Sequence, residues 1–210
     1  GWAWPENTWL GSDIDGKTVG LVGVGRIGKS MARMAGSGFR ARVVGYDPSA
    51  SEDQLAAAGV EKIGDLHEML ARSDFVSIHC VLKPETRHLI GDAELRCMKR
   101  SAFLINSSRG AIVDEHALLA ALKENRIAGA GLDVFSQEPL SLTGHPLSEL
   151  FTMDNVLLSP HLTFYTHEAM QRLEQEVLER CAEILSGQPV LVKSHDVRLT
   201  NQRHGVRFEV

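Results

Sequence analysis

Three cysteines and two tyrosines in 210 residues, with aromatics at 6%, set the first limits on this chain. Cys80, Cys97 and Cys181 are scattered and odd in number. They form no disulfide framework and read as reduced thiols of a cytoplasmic protein. No apolar run approaches the roughly 20 residues needed to span a bilayer, so no membrane partner is expected. Residues 1–15 mix Trp, Pro, Glu and Asp and lack the apolar stretch of a signal peptide. Basic residues are in the minority, 22 against 27 acidic, and the net charge of -5 leaves no footprint for a nucleic acid. None of the nine histidines has metal-ligand spacing. His67, His88, His116 and His145 are dispersed, and His161 and His167 stand six apart, so no metal is expected. What is present is a chain 43% hydrophobic, long enough to bury a core. Its first residue is Gly1, which reads as a trimmed, processed or partial chain.

Short apolar runs alternate with helical patterns. Strands are predicted over Thr18–Val24, Arg42–Tyr46, Phe75–Cys80, Ala102–Ile105, Gly129–Val134 and Val156–Ser159. Helices are predicted over Arg26–Ser37, Asp65–Arg72, Glu115–Glu124 and Tyr165–Ser186. Near-continuous apolar strands bracketed by helices imply a parallel sheet buried on both faces, a doubly wound α/β fold of the Rossmann type. Two stretches fit poorly: the Trp-rich opening with Trp2, Trp4 and Trp9, and the mostly polar tail from Leu191 to Val210. Both read as pieces that dock on another domain or subunit.

Gly23-Val24-Gly25-Arg26-Ile27-Gly28 fits G-x-G-x-x-G at a strand-to-helix junction, the context in which that motif is informative. Gly23 permits the tight turn, Gly25 lets the backbone approach a pyrophosphate, and Gly28 lets the helix pack close to the strand. The helix start, with Arg26 and Ile27, offers N–H groups to the phosphates. Asp47 ends the second strand 19 residues beyond Gly28. A carboxylate there accepts hydrogen bonds from ribose hydroxyls and repels a 2′-phosphate, so the expected cofactor is NAD rather than NADP. The plainer role of Asp47, opening the turn Asp47-Pro48-Ser49, is compatible with this one.

The stretches VGVGRIGKSMA, HCVLKPETRHLIG, INSSRGAIVDEHALLAAL with AGAGLDVFSQEPL, and NVLLSPHLTFYTHEA together resemble the NAD domain of D-isomer-specific 2-hydroxyacid dehydrogenases. The resemblance spans about residues 9–187. It implies that Arg109 binds the substrate carboxylate, and that His161, beside Glu138, is the acid that protonates the carbonyl oxygen. It implies further cofactor contacts at Cys80, Val81, Thr86, Ser108 and Asp133, although Asp133 reads equally well as a buried structural residue. Taken singly, Arg109, Glu138 and His161 each read as ordinary surface or turn residues. Their joint appearance, in family order behind a dinucleotide motif, points to chemistry. The sequence departs from the family in Val81-Leu82, where many relatives have Pro-Leu. It departs again in Leu162-Thr163-Phe164-Tyr165-Thr166, where many have small residues.

The expected organisation is a linker segment at 1–10, a dinucleotide-binding domain at 11–163, and a crossover helix with tail at 164–210. Most of the family's N-terminal substrate domain is absent. The expected activity is interconversion of a 2-keto acid and a D-2-hydroxy acid, with homodimerisation through the NAD domain. The rival is an NAD-sensing, co-repressor-like binding module of the same fold.

Overall fold

A computed structural model describes residues 11–192 and 206–208. The linker assigned to residues 1–10, with its three tryptophans, lies outside them. The chain divides into two compact units, Gly1–Thr163 and Phe164–Val210.

Among its described residues the first unit carries seven strands: β1 Thr18–Val22, β2 Arg42–Tyr46, β3 Glu61–Lys62, β4 Phe75–Ile78, β5 Phe103–Asn106, β6 Gly129–Leu132 and β7 Val156–Leu158. They form one parallel sheet in the order β3-β2-β1-β4-β5-β6-β7. The order reverses between β1 and β4. Connections therefore leave in opposite directions there, and a crevice opens beyond the strand carboxyl ends. Side-chain alternation divides the core into two clusters. Val19, Leu21 and Val43 join one of them, with Ala32 and Leu55. Val22 and Val44 join the other, with Ile78, Leu104 and Leu122. Burial on both faces is what the unbroken apolar strands require.

The helices of this unit are α1 Arg26–Arg33, α2 Glu52–Ala56, α3 Leu66–Arg72, α4 Asp92–Cys97 and α5 Glu115–Lys123. α1 runs on into a wider turn over Met34–Gly38, so the helical stretch read from sequence is right in place but not uniform in geometry. Side-chain caps set several starts. Asp65 accepts from the Glu68 N–H at 2.8 Å, and Asp114 from the N–H groups of His116 and Ala117. β1, β4, β6 and β7 end one or two residues before the predicted runs do, β2 matches its run, and β5 is shifted by one residue toward Asn106. Gly23-Val24, His79-Cys80, Asp133-Val134 and Ser159 leave the ladder and become the loops of the site.

Among its described residues the second unit has α6 His167–Leu185, capped by Thr166, and a two-stranded parallel pair, β8 Val190–Val192 with β9 Val206–Phe208. Glu183 accepts from the Leu191 N–H at 2.9 Å and pairs with Arg207 at 2.8 Å, tying helix to strands.

Candidate active site

At the end of β1 the chain turns through Gly23, whose φ of 89° a side-chain-bearing residue rarely adopts. The next N–H, of Val24, donates to Asp47 Oδ2 at 2.9 Å; Asp47 Oδ1 accepts from the Ser49 N–H at 3.0 Å and its hydroxyl at 2.6 Å. Burial alone would raise the Asp47 carboxyl. The Ser49 hydroxyl and the N–H groups of Val24, Ser49 and Ala50 outweigh it and hold the group below its ordinary value, hence ionised. Asp47 therefore stabilises the glycine turn as well as marking the end of β2.

A cleft of about 430 Å³ opens here, lined among others by Gly23, Gly25, Asp47, Cys80, Val81 and Thr86. Among the described residues beyond its own neighbours, nothing lies within 4 Å of where a Gly25 side chain would begin, which leaves that backbone open to a ligand. Gly28 is buried beneath the turn, and Arg26 and Ile27 are exposed on the first turn of α1. Thr86 locks the far wall: its hydroxyl donates to the Val81 carbonyl at 2.7 Å and accepts from the Lys83 N–H at 2.9 Å. Burial pushes the Cys80 thiol up to about 11, so it is no thiolate nucleophile at neutral pH. Lining residues to which the sequence assigned no role of their own include Lys83 and His79, whose Nε2 lies 2.9 Å from the Ser77 hydroxyl and whose burial pushes its pKa down.

Beyond β5 the chain makes a turn organised by Asn106, 1% exposed. Its Oδ1 accepts from the Ser108 N–H at 3.1 Å, and its Nδ2 donates to the Arg109 carbonyl at 3.0 Å. Ser108 then donates its hydroxyl to the Cys80 carbonyl at 2.6 Å, joining this turn to the cofactor-side loop. Arg109 is exposed and donates one N–H to the Ser108 carbonyl at 2.6 Å, leaving most of its five donors for a ligand. Gly110 follows because no side chain fits: a Cβ there would overlap the backbone of Phe135 and Ser136. That close approach seats the Arg109 turn against the loop carrying Glu138.

After β6, Asp133 is 4% exposed and its carboxylate faces inward. Oδ1 accepts from the Leu162 N–H at 2.8 Å; Oδ2 accepts from the Thr163 N–H at 3.0 Å and hydroxyl at 2.7 Å. Burial would raise this carboxyl, but bonds from Ser159, Thr163 and Leu162 hold it low. The Asp133 carbonyl accepts from the His161 N–H at 2.8 Å. Asp133 thus clamps the turn containing His161, which has a φ of 58°. A side-chain-bearing residue held in that region at a site is a strained, over-determined one.

His161 Nδ1 lies 3.0 Å from Glu138 Oε2, and Glu138 Oε1 accepts from the Phe135 N–H at 2.9 Å. The His161 hydrogen bond, then that of Phe135, holds the Glu138 carboxyl below its ordinary value. Beside the pair lies an apolar cavity of about 530 Å³ walled by Phe135, Leu140, Phe151 and Leu158. Arg109, Glu138 and His161 follow β5, β6 and β7, neighbours in the sheet. At roughly 5 Å per strand, that places the three segments within reach of one small ligand.

The model of the D-isomer specific 2-hydroxyacid dehydrogenase NAD binding domain matches residues 1–163. The chain belongs to that family. Similar proteins include a glyoxylate reductase of Korarchaeum cryptofilum, 45% identical over 199 residues, which cover 94% of this chain and 58% of that protein. Among solved structures, the NAD complex of the D-isomer specific 2-hydroxyacid dehydrogenase of Lactobacillus delbrueckii ssp. bulgaricus has a TM-score of 0.75 at 34% identity, over 89% of this chain and 57% of that one. An acyclic imino acid reductase in complex with NADPH and D-Arg has a TM-score of 0.77 at 32% identity, over 90% and 57%. The chain thus spans a little over half the length of these relatives, consistent with most of the substrate domain lying outside it. Among the described residues no helix is long and apolar enough to cross a membrane, and no group of three or more His, Cys, Asp or Glu could hold a metal ion.

Proposed function

We propose that this chain is the cofactor-binding and proton-transferring half of an enzyme that interconverts a 2-keto acid and a D-2-hydroxy acid. The observation that carries the reading is the His161–Glu138 hydrogen bond, next to the Arg109 turn on the carboxyl edge of the sheet. The cleft fits the family's NAD. The Gly25 backbone is open to a ligand and ionised Asp47 can accept from ribose hydroxyls, while Gly23, Arg26, Ile27, Gly28, Cys80, Val81, Thr86 and Ser108 shape the binding surface. When bound, NAD(H) supplies or accepts the hydride. Asp133 enters the proposal chiefly as the clamp on His161.

Arg109 holds the substrate carboxylate through paired N–H donors and places positive charge near the carbonyl. Glu138 fixes the orientation of the imidazole through Nδ1, and Nε2 gives a proton to the carbonyl oxygen during reduction. In oxidation the neutral ring takes the hydroxyl proton back. Homodimerisation through this domain and a reducing, cytosolic setting for the three free thiols belong to the same proposal. It is tested on the full-length enzyme by NADH oxidation with glyoxylate, pyruvate and hydroxypyruvate, and by sedimentation. Absence of turnover with every 2-keto acid tried, despite NADH binding, would overturn it in favour of a binding module.

A further inference from the structure

Glu138 sits in an exposed excursion. Of the eleven residues Ser136–Pro146 only His145 is buried, at 7% exposure. Its ring bridges two points of the loop. Nδ1 accepts from the Leu147 N–H at 3.0 Å, and Nε2 lies 3.1 Å from the Gln137 carbonyl. A backbone N–H can only donate and a carbonyl can only accept, so the two partners fix the tautomer: bare Nδ1 and protonated Nε2. Burying an imidazole is unfavourable unless both nitrogens are satisfied, and here both are. The Gln137 carbonyl belongs to the peptide that leads into Glu138. On the other side the Phe135 N–H donates to Glu138 Oε1 at 2.9 Å and the Ser136 N–H to Glu115 Oε1 at 2.7 Å, pinning the loop start. Without His145, the described hydrogen bonds leave nothing to hold Gln137 from the far side.

We propose that His145 is the positioning residue of the Glu138–His161 pair, closing the loop so that the Glu138 carboxylate stays in register with His161 Nδ1. This rests on reading that pair as the proton-transfer site. The two hydrogen bonds can be removed separately. His145→Gln places an amide N–H where Nε2 was and can keep the Gln137 bond. His145→Asn retains an acceptor near Nδ1 and can keep only the Leu147 bond.

The test is titration of the Glu138 carboxyl by side-chain carbon NMR in this chain, with nitrogen NMR of the wild-type histidines. Glu138 should move up toward the ordinary carboxylate range in His145→Ala and His145→Asn, and stay low in His145→Gln. In the full-length enzyme, kcat should fall about tenfold or more in His145→Asn, with the NADH dissociation constant unchanged, because a misplacement of ~1 Å can reduce rate by up to 10²-fold. Equal Glu138 titration in the Gln and Asn variants would overturn the proposal. An Nδ1–H tautomer of wild-type His145 would do so even if every variant failed to fold. Glu138 titration reads the loop and not turnover. Failure of the dehydrogenase reading would appear instead as an inert full-length enzyme whose Glu138 still responds to His145.

Discussion

The proposed cofactor end and the proposed catalytic end of this sheet edge are held in different ways. At β1 and β2 the ligand-facing groups are largely backbone. One turn and one carboxylate, Asp47, organise them, through an Asp47–Val24 bond that spans 23 residues. At β5, β6 and β7 the proposed chemistry rests on side chains of three loops. Those loops are kept together by a glycine that admits another backbone, an Asn that closes its own turn, and an Asp that clamps the next loop from 28 to 30 residues away. A backbone site tolerates neighbouring variation, whereas a side-chain site assembled from three loops depends on every tie between them.

The largest effects should therefore fall on the catalytic end. In the full-length enzyme His161→Ala should lower kcat roughly 10²–10⁴-fold by removing the proton donor, with little change in NADH affinity. Arg109→Ala should lower kcat and raise KM together, because carboxylate binding and carbonyl polarisation are lost at once. Steady-state kinetics with NADH titrated separately checks both. A His161 variant of near-normal rate would end the distinction between the two regions.

Two glycine substitutions sharpen the contrast. Gly110→Ala drives a methyl into the Phe135–Ser136 backbone, which cannot swing aside as a flexible side chain would. It should destabilise the chain by about 1–3 kcal/mol, several degrees in Tm. Gly25→Ala meets no protein atom. It should leave Tm within about a degree, since changes away from packed features usually lie within ±0.5 kcal/mol, and weaken NADH binding instead. Melting curves with and without NADH separate the outcomes. A large Tm loss in Gly25→Ala would show the turn to be packed and not merely open.

Next in size is cofactor choice. A unit charge pair ~4 Å apart at an effective dielectric near 20 amounts to ~4 kcal/mol before screening by salt and solvent. Asp47 should therefore favour NADH over NADPH by at least about tenfold, and Asp47→Ala should narrow that ratio. The same substitution should also lower Tm, since Asp47 holds the Val24 N–H. Equal dissociation constants for the two cofactors in the wild-type chain would remove the electrostatic account.

The contrast also explains what the sequence disclosed. Strand β2 was readable residue for residue because Arg42–Tyr46 is an apolar run ended by Asp47. The two-residue β3 and the short α2 and α4 carry too few residues for a period to register. Only the Ser51–Gln54 capping box, with its reciprocal hydrogen bonds, could have announced α2. At the site, the glycine fingerprint and Asp47 were legible because their spacing is local. Arg109, Glu138 and His161 were legible through family resemblance. Asn106 and Lys83 stand in the stretches that carry the resemblance, but what they do, closing a turn and walling the cleft, shows only in the structure; His145 read as one of the dispersed histidines, because its partners are the two ends of a loop that no spacing rule connects.

The smallest expected effect belongs to neither end and calibrates both. His67 Nε2 lies 2.8 Å from Glu94 Oε1, between α3 and α4 on the solvent side, and Glu94 Oε2 accepts from the Gly91 N–H at 3.0 Å. The hydrogen bond to Glu94 holds the His67 pKa above its ordinary value. For a group raised on folding, the stabilisation is fully present below the unfolded value near 6.5, and it is lost as pH rises through the raised folded value. Wild type should therefore melt slightly above His67→Gln at pH 5.5, and the two curves should coincide near pH 8.5. Both groups are reached by water and salt, so the gap should be on the order of a degree and should shrink in high salt. Differential scanning calorimetry at the two pH values decides it. A gap that instead persisted unchanged at pH 8.5 would mean that His67 contributes through packing and not through its charge. In that case the α3–α4 face could no longer serve as the neutral reference for the Glu138 and Asp47 variants.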